Sequence, residues 1–349
     1  MHKTVVIWLG AALGASATAV SGPLAGQQPE RYELAGERVA IYNLAGQLRV
    51  VPGSGRTVSV SVSRGGEDAS RLRIESGALE GRETLRVLFP GDRIVYREIG
   101  RGSRSQMRVR EDGTFGRAGR RVTVAGSGEG TRAYADLTVS VPAGREVAVY
   151  LGVGKAHASG VEADLLLDTH AGSVTVERHR GSLNVDTGSG RVEVADVEGD
   201  LLVDTGSGGV RATGVRGDRI LIDTGSGGVI GSELRSERLL VDTGSGRIEL
   251  SGVSAQEVSL DTGSGGVELE LTGGIRELLV DTGSGGVTLR VPEGLGARFD
   301  VETGSGGIES DLPLSVSRAG RSHLQGTLGD GSGRIHIETG SGGVRILRR

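Results

Sequence analysis

The stretch LLVDTGSGRIEL, from Leu239 to Leu250, contains the unit that decides how this chain folds. Its central string, Asp-Thr-Gly-Ser-Gly, is referred to below as the signature. Complete signatures begin at Asp186, Asp204, Asp223, Asp242, Asp261 and Asp281. A degenerate copy begins at Asp168, and Glu replaces Asp at Glu302 and Glu338. Neighbouring copies are 18 to 21 residues apart, apart from a last interval of 36, which we interpret as two units with one signature lost.

Apolar and polar residues alternate within each unit, which is the period of a β-strand. Leu239, Val241 and Thr243 fall on one face, and Ile248 and Leu250 continue that pattern after the glycines. Each unit is therefore predicted to be two short strands joined by a glycine turn. Glycine is expected there because tight turns often require positive φ, which costs most other residues free energy.

Two strands this short cannot bury an apolar face alone, but stacked copies can, at about 4.8 Å per rung. The sequence predicts an all-β fold, a single-chain parallel β-solenoid of about eleven rungs of 18–21 residues. In particular, Val185, Val203, Ile222 and Val241 should form one internal file. An up-and-down β-barrel is the alternative, although a barrel does not require identical turns at constant separation.

Three regions are expected along the chain. Residues 1–26 read as a signal peptide, with a short polar start, an apolar run and small residues near its end; an uncleaved membrane anchor is the alternative. Residues 27–140 are predicted to be a divergent β region or cap, and residues 141–349 the solenoid. Within the cap, residues 91–132 hold ten Arg against five acids and are predicted to be a projecting loop, either simply solvated or an anion-binding patch.

Composition limits the partners of the chain. There is no Cys, so disulfides are excluded, and the formal net charge of −4 gives no reason to expect a nucleic-acid partner. The signal predicts an exported protein, periplasmic or extracellular and cell-surface in a bacterium. After removal of the signal no transmembrane span is expected. The partner is predicted to be an envelope protein or an extracellular ligand, and no cofactor is expected.

The repeats also carry a resemblance. The strings LLVDTGSGGV, LIDTGSGGV and LLVDTGSGRIEL, with the closing GDGSGRIHIETGSGGVRI, resemble the bacterial adhesin-like family called domain of unknown function 4097. The front segment RVAIYNLAGQLRVVPGSG is similar to the opening strands of that family. The resemblance implies an envelope-associated or secreted β-strand-repeat protein, and it implies little about activity.

The signature also resembles the active-site string of aspartic proteases. Those enzymes need two carboxylates that share a proton in a cleft, whereas alternation places Asp204 outward between inward Val203 and Thr205. A structural role is favoured, in which each Asp accepts backbone N–H groups of the turn. The alternative is a column of calcium ligands formed by Asp186, Asp204, Asp223, Asp242, Asp261 and Asp281.

Thr and Gly of the signature are predicted to form turn and ladder positions, with the Thr hydroxyls able to bond along the stack. The expected positions are Thr187, Gly188, Thr205, Gly206, Thr224, Gly225, Thr243, Gly244, Thr262, Gly263, Thr282 and Gly283.

No catalytic residues are assigned. A β-helix enzyme acting on polysaccharide is the main enzymatic alternative, but the eight Tyr and Phe residues lie mostly outside the repeats. The sequence therefore favours a non-enzymatic, exported, adhesin-like or envelope scaffold protein that presents a β-solenoid surface.

Overall fold

The computed structural model describes residues 29–349, so the signal-peptide prediction for residues 1–26 falls outside the described residues. Strands account for almost all of the regular structure. Two short 3-10 helices, Ala69–Arg71 and Arg97–Ile99, interrupt the N-terminal part. Between residues 29 and 349, no helix is long and apolar enough to cross a bilayer.

Ten strands precede the regular repeats. They are β1 (Glu30–Leu34), β2 (Arg38–Ala45), β3 (Leu48–Pro52), β4 (Val58–Gly65), β5 (Arg73–Leu79), β6 (Arg82–Leu88), β7 (Arg93–Val95), β8 (Arg104–Val109), β9 (Arg120–Ala125) and β10 (Tyr134–Val141).

The remaining strands form most of the rod. The first eleven of them are β11 (Glu146–Val153), β12 (Ala156–Ser159), β13 (Asp164–Ala171), β14 (Val174–Arg180), β15 (Leu183–Ser189), β16 (Val192–Glu198), β17 (Leu201–Thr205), β18 (Val210–Arg216), β19 (Arg219–Thr224), β20 (Val229–Ser232) and β21 (Arg235–Thr243). The rest are β22 (Ile248–Thr262), β23 (Val267–Leu271), β24 (Glu277–Thr282), β25 (Val287–Val291), β26 (Ala297–Thr303), β27 (Ile308–Ser310), β28 (Ser315–Ala319), β29 (His323–Leu328), β30 (Gly333–Thr339) and β31 (Val344–Arg348).

The strands stack in two continuous files. The first, called the signature sheet, holds the strands that end in Asp-Thr or their equivalents. Its parallel rungs are β2, β11, β13, β15, β17, β19, β21, the second half of β22, β24, β30 and β26. The second, called the return sheet, holds the strands that follow the glycines, including the first half of β22. The predicted all-β parallel solenoid is confirmed.

The apolar core is a set of stacked files. Val185, Val203, Ile222 and Val241 pair in register through consecutive rungs, and each is at most 2% exposed. Complete burial of such a side chain stabilises the fold by about 1.5–3 kcal/mol. The predicted internal file is therefore confirmed, and it explains how residues poor in aromatic rings still build a dry core.

A third, shorter side closes several of the rungs, which the sequence reading missed. Strands β14, β16 and β18 bend at Arg178, Asp196 and Gly214, which have φ of 53°, 55° and 65°. After the bend, His179, Val197 and Val215 stack in register and face the core. The unit therefore has a corner besides the glycine turn, and at this corner left-handed backbone is tolerated at non-glycine residues.

The last rung is inserted into the stack and does not extend it. Strand β30 pairs in parallel with β24 on one side and with β26 on the other, and β31 lies likewise between β25 and β27. The 36-residue interval before Glu338 holds β28 and β29, and β29 pairs antiparallel with β28 on one side and with β26 on the other. The expectation of a unit with a lost signature is wrong, because those residues leave the coil as a hairpin.

Residues 91–132 are not a projecting loop. They contain β7, β9 and β8, which form a separate three-stranded sheet with Met107, Val122 and Val124 buried beneath it. The error came from the glycine and arginine content, which hid the alternation of these strands. The return sheet continues into the N-terminal region because β10 pairs with β3, and the signature sheet does so because β11 pairs with β2. The division of the chain into two domains at residue 140 therefore stays a proposal.

We predict that Ile337→Asp, close to the C-terminus, destabilises the chain as much as Val203→Asp in mid-rod. Both side chains are fully buried, and Ile337 has a rung on each side. An unpaired buried charge costs several kcal/mol, so we expect a loss of about 3 kcal/mol or more in urea unfolding. Val316→Asp is the control, because Val316 is 53% exposed. A near-neutral Ile337→Asp would mean that the last rung frays like an ordinary chain end.

Candidate functional site

The signature threonines form repeated hydrogen bonds between neighbouring rungs of the rod. Thr243 is fully buried; its Oγ1 donates to the carbonyl of Gly227 on the preceding rung (2.9 Å) and accepts the N–H of Gly246 in its own turn (2.9 Å). The same pair of bonds recurs at Thr224, Thr262, Thr282, Thr339 and Thr303. The hydroxyl thus closes each turn and fastens it to the neighbouring rung.

Glycine is needed in the signature for close approach of backbones, not for positive φ. The signature glycines from Gly188 onward are outside the left-handed region. A Cβ added at Gly206 would lie 2.6 Å from the carbonyl oxygen of Gly188, and one at Gly188 would lie 2.7 Å from that of His170. Similar clashes occur at Gly225, Gly244, Gly263 and Gly283. The conformational reason given above for these glycines is wrong; the reason is that each turn packs directly on the next.

The signature acids form an exposed file on the outer face of the signature sheet. Asp186, Asp204, Asp223, Asp242, Asp261 and Asp281 lie beside one another in register, and the file runs from Asp168 to Glu338 and Glu302. Within residues 29–349, none of these carboxylates accepts a hydrogen bond or forms an ion pair. The expected capping of the turns by Asp is therefore not found, since the Thr hydroxyl takes that place.

Burial and mutual repulsion raise the pKa of several carboxyl groups in this file. Partial burial, with the neighbouring charge of Asp186, raises the pKa of Asp168 to about 6. Burial and then adjacent aspartates also raise the pKa of Asp186, Asp223 and Asp261. Both effects disfavour the charged form. The file is therefore a line of negative charge that the folded chain itself leaves uncompensated.

An apolar file runs beside the acids, two residues earlier in each strand. Leu202, Leu221 and Leu240 stack in register there, and Leu279 continues the file after Ser259. Leu202 is 39% and Leu279 is 41% exposed. The sequence reading counted only inward positions, although the same alternation places the second Leu of LLVDT outward. We call the acids and this apolar file together the signature face.

One end of the signature face is aromatic. Tyr150 precedes Asp168 in the register, and Tyr42 precedes Tyr150. The two rings stack with centroids 4.6 Å apart, and Phe115 meets Tyr42 edge-on at 6.0 Å. The acid file thus ends on a packed aromatic cluster at the N-terminal end of the rod.

The buried His179 is a second residue that sequence reasoning missed. It is 1% exposed, in register with Val197 on the short side, and neither ring nitrogen has a hydrogen-bond partner. Burial lowers its pKa, which favours the neutral imidazole. Its place in an otherwise aliphatic file indicates a packing role.

The arrangement of the acidic side chains can be compared with a calcium site and with the carboxylate pair of an aspartic protease. In the described part of the chain, no three His, Asp or Glu side chains converge as they would around a metal ion. The six calcium candidates lie in a single line on an open sheet, and neighbouring aspartates face solvent and not a cleft between lobes. The arrangement suits neither a calcium cage nor a protease dyad.

Comparison with known proteins identifies the family. The model of the Toastrack DUF4097 family matches residues 102–347. No curated protein matches the chain. Two solved structures are similar at low identity. One, described as a candidate adhesin from Bacteroides fragilis, has 11% identity and a TM-score of 0.34, covering 92% of this chain and 96% of its own. The other, described as a candidate cell adhesion protein from Clostridium sporogenes, has 10% identity and a TM-score of 0.21, covering 92% and 100%.

We predict that Thr243→Val weakens folding whereas Thr243→Ser leaves it nearly unchanged. Valine keeps the shape but leaves the buried carbonyl of Gly227 and the N–H of Gly246 without their partner. Two unsatisfied groups should cost about 2–4 kcal/mol in urea unfolding. A larger loss in Thr243→Ser than in Thr243→Val would show that the γ-methyl group, and not the hydroxyl, carries the effect.

We predict that Asp168→Asn stabilises the chain at neutral pH. Since the pKa of Asp168 rises from 3.8 to about 6 on folding, its contribution is most favourable below 3.8 and is lost as pH rises through 6. With solvent screening, the gain at about pH 7 should be about 1–2 kcal/mol, with little difference at about pH 4. Unfolding curves at both pH values measure it, with the exposed Asp92→Asn as control. A pH-independent effect would contradict the electrostatic origin.

Proposed function

Since the chain belongs to the Toastrack DUF4097 family, we propose that it is a non-enzymatic, adhesin-like envelope protein that binds a partner along its signature face. The observation that supports this most directly is the acid file, in which nine stacked carboxylates lie unpaired beside exposed leucines. At about 4.8 Å per rung, this file extends for about 38 Å. Adjacent like charges repel one another, so this line of carboxylates does not stabilise the fold.

At the corners of the rod, acidic side chains form ion pairs with arginines. Arg219 pairs with Asp200 at 2.8 Å, and Arg238 pairs with Glu257 at 2.8 Å. Arginine therefore accompanies the acids at the edge of the same sheet but does not reach the signature file. The file is consequently available to positive charge from another molecule.

The partner that complements this surface is a cationic, amphipathic protein segment lying along the rod. Its basic groups would lie over the acid file and its apolar groups over Leu202, Leu221 and Leu240. The two files are about 7 Å apart, which is two residues along a strand. Because equivalent positions repeat at each rung, many weak contacts can add up along one extended partner.

The other functions carry less support. A polysaccharide-acting enzyme needs one local cluster of acids and bases, whereas the acids here are spread evenly along a flat face. Export belongs to the proposal because a signal-like segment occupies residues 1–26. Recovery of the full chain from cytoplasm, with residues 1–26 still attached, would count against that part.

The binding test uses a synthetic peptide of alternating lysine and leucine and the folded chain. The triple variant Asp204→Asn, Asp223→Asn, Asp242→Asn should bind this peptide at least about tenfold more weakly, as loss of several complementary charges predicts. Binding of the wild type should also weaken with added salt.

The matched control neutralises three outward acids of the return sheet: Glu193→Gln, Glu249→Gln, Glu268→Gln. It changes net charge equally, so its affinity for the peptide should stay close to that of the wild type. Equal losses of peptide affinity in the two triple variants would mean that net charge alone explains the binding. Unchanged affinity in the Asp variant would show that the signature face is not the binding surface.

A further inference from the structure

A small cleft opens at the N-terminal end of the rod. It lies between the start of β5, the end of β6 and the turn that follows β8, and its volume is about 310 Å³. Leu88, Phe89 and Val109 form its floor, each only 7–8% exposed. In the strand order, β2 and β11 separate β6 from the first signature acid, Asp168. The cleft is thus a different surface from the signature face.

Positive charge dominates the walls of this cleft. Arg71, Arg73, Arg110 and Arg120 line it, and Glu111 is the single acid among its lining residues. Three further acids lie close by, namely Asp68, Glu75 and Asp112, and Asp112 accepts a hydrogen bond from the same Thr114 hydroxyl that Arg110 contacts. Asp68 is bonded to the N–H of Arg132 as well as lying 3.5 Å from Arg71. Glu75 is 3.8 Å from Arg73 and 3.9 Å from Arg86, distances at which neither pair is tight.

Two of the guanidinium groups are held in place by the chain. Arg120 donates to the carbonyls of Gly91 (2.5 Å) and Phe89 (3.3 Å), which directs it across the end of β6. Arg110 donates to Oγ1 of Thr114 (3.3 Å) within a turn closed by the bond from Gly113 N–H to the carbonyl of Arg110. Each still has free N–H donors, because a guanidinium carries five. Pre-positioned donors lose less entropy when they bind an anion.

Several arginines around one small cleft match the chemistry of a phosphate group. The planar fork of a guanidinium binds phosphate oxygens through two parallel hydrogen bonds, and such charge-assisted bonds are about twice as strong as neutral ones. A volume of about 310 Å³ lies at the small end of ligand pockets, so it suits a phosphate with one small attached group. The apolar floor provides a surface for that group.

From these observations we infer that the four-arginine cleft at the end of β6 is a binding site for a phosphate monoester, such as a phosphorylated sugar. The inference does not depend on the proposed role of the signature face, since the two surfaces share no residue. It gives the arginine-rich segment 91–132 a specific role: the segment supplies two of the four guanidinium groups, while the other two come from the start of β5 and the residues before it.

The test is calorimetric titration of the folded chain with glucose 1-phosphate and with inorganic phosphate. We expect glucose 1-phosphate to bind more tightly, because only it reaches the apolar floor. Arg73→Gln and Arg110→Gln should each weaken its binding about tenfold, the effect of losing one charge-assisted contact. Glu111→Gln should strengthen binding, because it removes the negative charge from the lining.

Arg117→Gln is the matched control, since Arg117 is an exposed arginine of the same segment outside the cleft. Thermal melting of each variant separates lost binding from lost folding, and Arg73, with a 73% exposed side chain, is the safer of the two test positions. Absence of heat with both ligands at millimolar concentration would overturn the inference. So would equal weakening by Arg117→Gln, or tighter binding of inorganic phosphate than of the sugar phosphate.

Discussion

The parallel, in-register pairing of each rung with the next is the constraint on which the rest of this structure depends. Because the pairing is in register, equivalent residues of successive units lie directly over one another. Each position of the unit therefore forms a continuous row of similar side chains along the rod. The aliphatic residues form a buried core, the threonines form hydrogen bonds between rungs, and the aspartates form a row of like charges. Only the first two of these lines stabilise the fold, which is why the third points to a partner.

The repeat made much of the fold predictable. The spacing of the signatures predicted stacked rungs, and alternation correctly placed Val203 inward and Asp204 outward. The order of the final rungs was not predictable, because the copies at Glu302 and Glu338 are nearly alike and nothing in either marks which one pairs with Asp281. The bend at Arg178 and Asp196 was also hidden, since left-handed backbone was expected only at glycine.

The candidate site was predictable only in part. Sequence reasoning identified the acid column but assigned its aspartates to turn capping, because a carboxylate before a turn is a common cap. In the structure the buried Thr hydroxyl accepts the N–H group of the turn, so the turn does not need the carboxylate as a cap. The arginine cleft could not be predicted for another reason. It joins Arg73 and Arg110, which are far apart in sequence and meet only because β5 pairs with β6 and the turn after β8 lies at the end of β6.

The inserted last rung also has a consequence for how the protein is made. A solenoid that grew strictly from one end could fold as its chain emerged during synthesis, each new coil settling on a finished one. Here β26 and β27 are made before β30 and β31, yet they lie outside them. The distal end therefore cannot complete its native pairing until β30 and β31 have left the ribosome. Strands β30 and β31 thus complete the stack from within, and a chain cut short before Gly333 would lack a middle layer and not merely an end.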